Sequence, residues 1–181
     1  MLLACNLAAE RSCMYRMRDW KYWVEKLDLG KHQEGGYYKE LYKCAETVAG
    51  DRLSVNYDSE RSLATSIYFL LPSGEVSKLH RLKSDELWYF HAGSPMTLYI
   101  IDVNGCLSKV KLGLDIDNGE LPQVIVPRNC TFGAEIYEPD SFTLVGCMVS
   151  PGFDFKDFEL LPREQLLSEY PQHADIILKL T

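Results

Sequence analysis

The chain has 181 residues, of which 46% are hydrophobic and 25% are charged, and its formal net charge is −7. This length fits one domain that buries about 70% of the surface of its unfolded chain. The net negative charge excludes a protein that binds nucleic acid through basic stripes. No apolar run approaches the ~20 residues of a membrane span. We therefore expect a globular protein without nucleic-acid or membrane partners.

The first predicted element is a helix over residues 14–29. Apolar side chains recur there at spacings of three and four, and Gly30 stands where a C-terminal cap would stand. We interpret this stripe as core packing or a subunit contact. Residues 1–16 are expected to form a disordered tail, and residues 17–181 a single domain.

Short strands are predicted from residue 36 to residue 149. Apolar or alternating runs are separated there by Gly, Pro, Asn and Asp, and Asn104-Gly105 is typical of a hairpin with a type I′ turn. About nine closely spaced strands predict an all-β barrel or sandwich. The runs are 37–44, 64–71, 76–80, 86–91, 96–102, 106–112, 123–127, 130–137 and 142–149.

The pattern changes to that of short helices after residue 151. Residues 162–170 begin with Pro and carry acidic residues in the first turn, and residues 174–180 predict another short helix. The six cysteines, at positions 5, 13, 44, 106, 130 and 147, form no CxxC pair. We therefore expect reduced thiols in a cytoplasmic protein.

The chemistry is concentrated in residues 74–93, GEVSKLHRLKSDELWYFHAG. His is the commonest metal ligand and the usual general base near neutral pH, and Glu can carry a proton or bind a metal. Since alternate residues of a strand share a face, Glu86, Trp88 and Phe90 should point the same way. We predict a cavity in which His80 and Glu86 converge and Trp88 forms a wall.

Two further positions are candidates for this cavity. Gln123 begins a strand and its amide either points into the cavity or stays outside. Tyr68, Tyr89 and Tyr99 are possible proton donors by position, although alternation puts Tyr89 opposite Glu86. By contrast, Glu34-Gly35-Gly36 is interpreted as a tight turn that needs a positive φ.

These motifs resemble the signatures of the cupin superfamily. The first signature is matched at Gly74, His80, Glu86 and Gly93, but Leu82 occupies the position of its second His. In the second signature, Phe132 occupies the position of the metal-binding His. Together with five longer segments in order, they resemble the small cupin family known as domain of unknown function 985, with Gln33 as one departure. The segments are HQEGGYYKELY (32–42), ATSIYFLL (64–71), HRLKSDELWYFHAG (80–93), PQVIVP (122–127) and SPGFDFKDFELLPREQLLSEYP (150–171).

The resemblance implies a cupin-type double-stranded β-helix, that is, a jelly-roll barrel, flanked by an N-terminal helix and short C-terminal helices. It implies a fold similar to that of RmlC-type sugar-nucleotide epimerases, commonly as a homodimer, and no particular activity.

We expect the barrel to bind a small polar or sugar-like metabolite, with Tyr68, Trp88, Phe90 and Gln123 as ligand-binding residues. Any catalysis would be epimerisation or isomerisation by proton transfer, with His80 as base and with Glu86. The alternatives are a non-catalytic binding protein and a metal-dependent enzyme. No metal cofactor is expected, because two ligand positions are apolar; if a metal binds, His80 and Glu86 are its candidate ligands.

Overall fold

Two six-stranded sheets pack face to face in the computed structural model, which describes residues 18–53 and 57–181. The strands are β1 (Gly30–Lys31), β2 (Tyr37–Lys43), β3 (Thr47–Val48), β4 (Arg61–Ser62), β5 (Thr65–Pro72), β6 (Val76–Leu82), β7 (Asp85–Gly93), β8 (Met96–Ile101), β9 (Leu107–Leu112), β10 (Glu120–Leu121), β11 (Gln123–Val126), β12 (Thr131–Glu135), β13 (Phe142–Ser150) and β14 (Phe158–Leu160). The helices are α1 (Trp20–Leu27), α2 (Arg163–Glu169) and α3 (Ala174–Lys179).

The strand order is β1-β2-β5-β13-β7-β11 in the first sheet and β10-β9-β8-β12-β6-β14 in the second. All neighbours within these two sheets are antiparallel except β9 and β10. The predicted jelly-roll barrel with its N-terminal and C-terminal helices is confirmed. Each of the nine predicted runs forms a strand, and the strands that the sequence did not predict have only two or three residues.

The predicted hairpin connects β8 and β9, but its turn is not type I′. That turn needs a positive φ at two central residues, and of residues 102–106 only Gly105 has one, at 81°. Instead Asp102 Oδ1 accepts hydrogen bonds from the backbone N–H groups of Asn104 and Cys106, both at 2.8 Å. The aspartate side chain therefore closes a wider loop than the Asn-Gly pair alone indicates.

Helices cover the outer face of each sheet. Helix α1 packs Trp20, Trp23 and Val24 against Leu70 and Leu144 of the first sheet. It begins at Asp19, whose carboxylate accepts from Tyr22 N, and it ends at Asp28 in the left-handed conformation rather than at the expected Gly30 cap. Helices α2 and α3 pack on the second sheet through Leu166 and Ile177.

The main core lies between the sheets and follows from strand alternation. On β5, Phe69 and Leu71 point inward, whereas Tyr68 and Leu70 face α1. Opposite them the second sheet contributes an equally apolar layer. Its inward residues include Leu82, Met96, Leu98, Ile100, Leu112, Phe132 and Ala134.

Three further sequence expectations concern the N-terminal residues, the cysteines and membrane spans. Residues 1–16, the expected tail, and residues 14–17 of the predicted helix lie outside the described residues. Cysteines 44, 106, 130 and 147 are free thiols. Within residues 18–53 and 57–181, no helix has the length and hydrophobicity of a membrane span.

Candidate functional site

A cavity of about 260 Å³ lies between the two sheets. Its walls are mostly aromatic and aliphatic, and five of its side chains are titratable histidines and glutamates. These are His32, Glu34, Glu40, His80 and Glu86. Apolar walls with a few converging polar groups are what a small-molecule site usually looks like.

Three of the residues predicted from the sequence meet in this cavity. His80 comes from β6, and Glu86 and Trp88 come from alternate positions of β7; all three line the cavity. They are 2%, 7% and 1% exposed, respectively. Alternation explains the arrangement, because Leu82, two residues after His80, also faces the cavity.

Glu34 reaches the cavity from the tight turn between β1 and β2. Gly35 and Gly36 have φ values of 114° and 68°, as the turn prediction required. A Cβ at Gly35 would lie 2.1 Å from the Val76 carbonyl oxygen, so only glycine lets the turn press against β6. There Lys78 N donates to the Glu34 carbonyl at 2.8 Å, which fixes the turn beside His80.

The Glu34 carboxylate is almost fully buried and surrounded by polar groups. Ser77 Oγ donates to Oε1 at 2.9 Å, and Oε2 lies 3.3 Å from both His32 Nδ1 and His80 Nε2. Burial alone would raise the pKa of Glu34, but the charge that His80 carries in its protonated form and the hydrogen bonds from His32 and Ser77 hold it below its usual value. Glu34 is therefore a carboxylate at neutral pH.

Glu86 is the opposite case within the same cavity. Burial raises its pKa to about 8, and the negative charge of Glu34 adds to the rise, against the smaller effects of Trp88 and Cys147. Glu86 Oε2 and the Trp88 indole nitrogen are both buried, and neither forms a hydrogen bond of regular geometry. Glu86 therefore holds its proton near pH 7 and is a carboxylic acid.

The imidazole of His80 is held in one orientation. Its Nδ1 lies 2.7 Å from the Lys78 carbonyl oxygen, which can only accept, so Nδ1 carries a proton. The ring packs against Phe132 and Phe158, with centroids 4.1 and 5.2 Å away. Nε2 is therefore the nitrogen that can exchange a proton, and it is the one beside Glu34.

Residues 150–158, which we call the strap, close one side of the cavity with Phe153, Phe155 and Phe158. The strap is fixed to the rest of the barrel by a buried ion pair: Arg61 donates from Nε and Nη2 to the two oxygens of Asp157, at 2.6 and 2.9 Å. Its Nη1 donates to Ser59 and to the Glu60 carbonyl. From the sequence alone these three phenylalanines are expected to pack across the barrel exterior; that expectation is wrong, because all three line the cavity.

The placements predicted for Tyr68, Phe90 and Gln123 are also corrected. Tyr68 lies on the face of β5 opposite Phe69 and packs in the α1 cluster. Phe90 shares a face with Trp88 but packs against the core beyond the cavity, where it pairs with Val145. On the edge strand β11 the inward positions belong to valines, so Gln123 is exposed.

The remaining candidate proton donors also lie away from the cavity lining. Tyr99 donates to Glu135 at 2.5 Å within the C-terminal helix cluster, and Tyr89 pairs with the exposed Gln123.

His32 and Glu34, the polar cavity residues next to His80, are among those that the sequence interpretation missed. They lie more than 40 residues before His80, and no local period connects them to β6. The available signal was His-x-Glu in front of two glycines, because a rigid turn can carry two polar side chains to a fixed place.

Comparison with known proteins agrees with the fold. The family model described as Cupin superfamily (DUF985) matches residues 21–161. The uncharacterized protein YML079W of Saccharomyces cerevisiae is 31% identical over 155 residues, which cover 80% of this chain and 76% of the yeast protein.

Solved structures give the same result. Protein SO0799 from Shewanella oneidensis is 46% identical with a TM-score of 0.81, over 91% of this chain and 98% of the other. A hypothetical protein from Leishmania major is 35% identical with a TM-score of 0.84, over 91% and 99%. Oxalate decarboxylase of Bacillus subtilis, at 18% identity, a TM-score of 0.51 and coverage of 86% and 38%, shares the fold alone.

Proposed function

Because the chain belongs to the cupin family described as domain of unknown function 985, we propose that its barrel cavity binds a small polar or sugar-like metabolite and transfers a proton on it. His80 is the proposed base and Glu86 the proposed acid, in an epimerisation or isomerisation that needs no metal. The observation that carries this proposal is the convergence of His80, Glu34 and Glu86 on one cavity.

The orientation of His80 supports its role as base. In the neutral ring Nδ1 keeps the proton that it donates to the Lys78 carbonyl, so Nε2 has a free lone pair. When Nε2 takes a proton from a bound molecule, the Glu34 carboxylate at 3.3 Å stabilises the imidazolium that forms. Glu34 would then be a positioning residue that acts through His80.

The two buried carboxyl groups support a division into acid and base. Their environments separate their pKa values, with Glu34 below its usual value and Glu86 at about 8. Pairs of titratable groups that are separated in this way mark acid and base roles in enzymes. Near pH 7 the protonated Glu86 can give a proton to the ligand, and His80 in its neutral form can take one.

The size of the cavity supports a small ligand. At about 260 Å³ it lies below the ~300–1,000 Å³ of pockets for drug-sized molecules. A metabolite of one ring or one short chain fits this space, and a nucleotide-linked sugar would extend beyond it. Trp88 and the strap phenylalanines offer flat faces against which a ring can lie.

A metal centre, the second candidate, does not fit the side chains present. Leu82 and Phe132 occupy two positions of the expected ligand set. In the described part of the chain, no three or more His, Cys, Asp or Glu side chains are arranged to hold a metal ion. We therefore derive no step through a metal.

The proposal is tested by screening metabolites for quenching of tryptophan fluorescence and then following deuterium uptake from D₂O into each hit. We expect both His80→Ala and Glu86→Gln to lower the exchange rate by about 10²–10⁴-fold. His91→Ala, an exposed histidine on β7, is the matched control and should exchange like the parent.

Other outcomes separate the alternatives. Hits that bind without exchange indicate a non-catalytic binding protein, and hits that survive both substitutions unchanged place binding elsewhere. Elemental analysis of the same protein is expected to give well under one equivalent of transition metal. A value near one that disappears in His80→Ala would favour the metal-dependent alternative.

We also propose a homodimer formed along β2. Strand β1 pairs only with Tyr37 and Tyr38, so the outer edge of residues 39–43 has no neighbouring strand among the described residues. Leu41 and Tyr42 are 50% and 53% exposed there. An open, partly apolar edge favours pairing with a second copy. Light scattering should give twice the 20.7 kDa of one chain, and a monomer alone at micromolar concentration would contradict this proposal.

A further inference from the structure

The cavity is lined by six aromatic rings, and the His32 ring lies between those of the first sheet and those of the strap. Phe153 and Phe155 have centroids 5.0 Å apart, and Phe69 and Trp88 are 5.6 Å apart. Such rings present electron-rich faces, and these attract organic cations more strongly when water is excluded. The six rings are Tyr38, Phe69, Trp88, Phe153, Phe155 and Phe158.

The charged groups of the cavity point to the same kind of ligand. Its carboxyl groups are Glu34, Glu40 and Glu86, and no Lys or Arg is among the described residues that line it. Glu34 has His32 and His80 beside it, whereas within the described residues Glu40 and Glu86 form no ion pair. An anionic ligand would therefore meet carboxyl groups without a lysine or arginine to balance its charge.

Glu86 is the buried carboxyl group of the cavity that forms no ion pair within the described residues. It is 7% exposed, and its Oε2 makes no hydrogen bond of regular geometry within the described protein. Ionised, the carboxylate can accept from the neighbouring Trp88 indole N–H, which makes no hydrogen bond of regular geometry within the described protein. A buried carboxylate of this kind needs a positive charge beside it, which the protein does not provide and a ligand can.

We propose that the cavity ligand is a small organic monocation, an amine or quaternary ammonium compound, with its charged end held between Glu86 and the aromatic walls. This inference rests on the proposed use of the cavity as the binding site, and it narrows the class of polar metabolite. It replaces the role of Glu86 as acid, because beside a bound cation Glu86 is the carboxylate of the ion pair and proton transfer is left to His80. Glu86 makes the ion pair, the rings of Trp88 and the strap surround the cation, and Glu40 at the exposed mouth attracts it.

Binding of a cation should release a proton. Glu86 is mostly protonated near pH 7, since its pKa is about 8. A cation beside it favours the carboxylate, so close to one proton should leave for each ligand bound near pH 7. Near pH 9.5 the carboxylate is already ionised and the release should nearly vanish.

The experiment compares three probes of one shape. They are choline, its uncharged carbon analogue 3,3-dimethylbutan-1-ol, and the carboxylate 3,3-dimethylbutanoate. Each is titrated by calorimetry in two buffers with different heats of ionisation. We expect choline to bind about 10-fold or more tightly than the alcohol, and its advantage in affinity over the anion to be larger still. Binding of choline should release a proton near pH 7. Glu86→Gln should remove the release and most of the preference, whereas Glu138→Gln, an exposed control, should keep both.

Three results would overturn the inference: equal or tighter binding of the alcohol, tighter binding of the anion, or no binding of choline up to millimolar concentration. A preference for choline that Glu86→Gln leaves unchanged would also overturn it, because the cation would then lie elsewhere. These failures are distinguishable from failure of the proposed function, because the metabolite screen with deuterium exchange does not depend on the charge of its hits.

Discussion

Replacing Arg61 with methionine is expected to lower the free energy of unfolding by about 3–5 kcal/mol. The guanidinium is 2% exposed and makes two short hydrogen bonds to the Asp157 carboxylate. Methionine keeps much of the side-chain volume but leaves Asp157 buried beside a single partner, Lys83, at 3.7 Å. Since this pair fixes the strap, its loss should also weaken binding of any cavity ligand.

Urea unfolding followed by circular dichroism measures this effect. The control is Lys39→Met, which removes the exposed pair with Asp28 and should cost less than about 1 kcal/mol. A double variant, Arg61→Met with Asp157→Leu, should be more stable than Arg61→Met alone, because no buried charge is left without its partner. A loss below about 1 kcal/mol in Arg61→Met would contradict the structural role of the pair.

Glu86→Gln is expected to stabilise the protein, and more so as the pH rises. The folded state raises the pKa of Glu86 from 4.5 to about 8, so between these values it binds a proton that the unfolded chain releases. The contribution of protonated Glu86 to the free energy of unfolding is fully present below pH 4.5 and is lost as the pH rises to about 8. Glutamine cannot ionise, so the variant does not lose this contribution as the pH rises.

The measurement is the free energy of unfolding of both proteins near pH 5, pH 7 and pH 9. At about 1.4 kcal/mol for each pKa unit, the variant should gain on the order of 4 kcal/mol over the parent between the first and last values. Groups that do not interact with Glu86 titrate alike in both proteins, so the difference reports Glu86 together with its neighbours Glu34 and Cys147. Parallel pH profiles would show that the Glu86 carboxyl is not held in its neutral form.

Glu34 should act in the opposite direction. Its pKa is lowered in the folded protein, so its contribution to stability is present above pH 4.5 and is lost as the solution becomes more acidic. Together the two carboxyl groups should favour the folded state most strongly near pH 4.5, and they should do so less on either side.

The strands were predictable because each one carries its own local signal. Alternation along β6 and β7 was sufficient to bring His80, Glu86 and Trp88 to one cavity. It failed for Tyr68, because a strand with apolar residues on both faces does not show which face meets the other sheet. In β5 both faces are covered, one by the barrel core and the other by α1.

The partners of His80 were not predictable from local pattern. Glu34 meets it only because the turn after β1 lies against β6, and this contact depends on the register between strands that are distant in the chain. The strap is a similar case: Phe153, Phe155 and Phe158 are spaced like neither a helix nor a strand. Their position follows from the pairing of Arg61 with Asp157, 96 residues apart.

The place of β13 in the first sheet has a consequence for synthesis on the ribosome. It lies between β5 and β7 and pairs with both, yet it is made only at residues 142–150. Until then the backbone edges of β5 and β7 that β13 will fill remain open, and Phe69 and Trp88 lack the packing of the finished core. The first sheet therefore stays in two parts, β1-β2-β5 and β7-β11, until residues 142–150 are made, and its open edges are most exposed to aggregation just before the last quarter of the chain emerges.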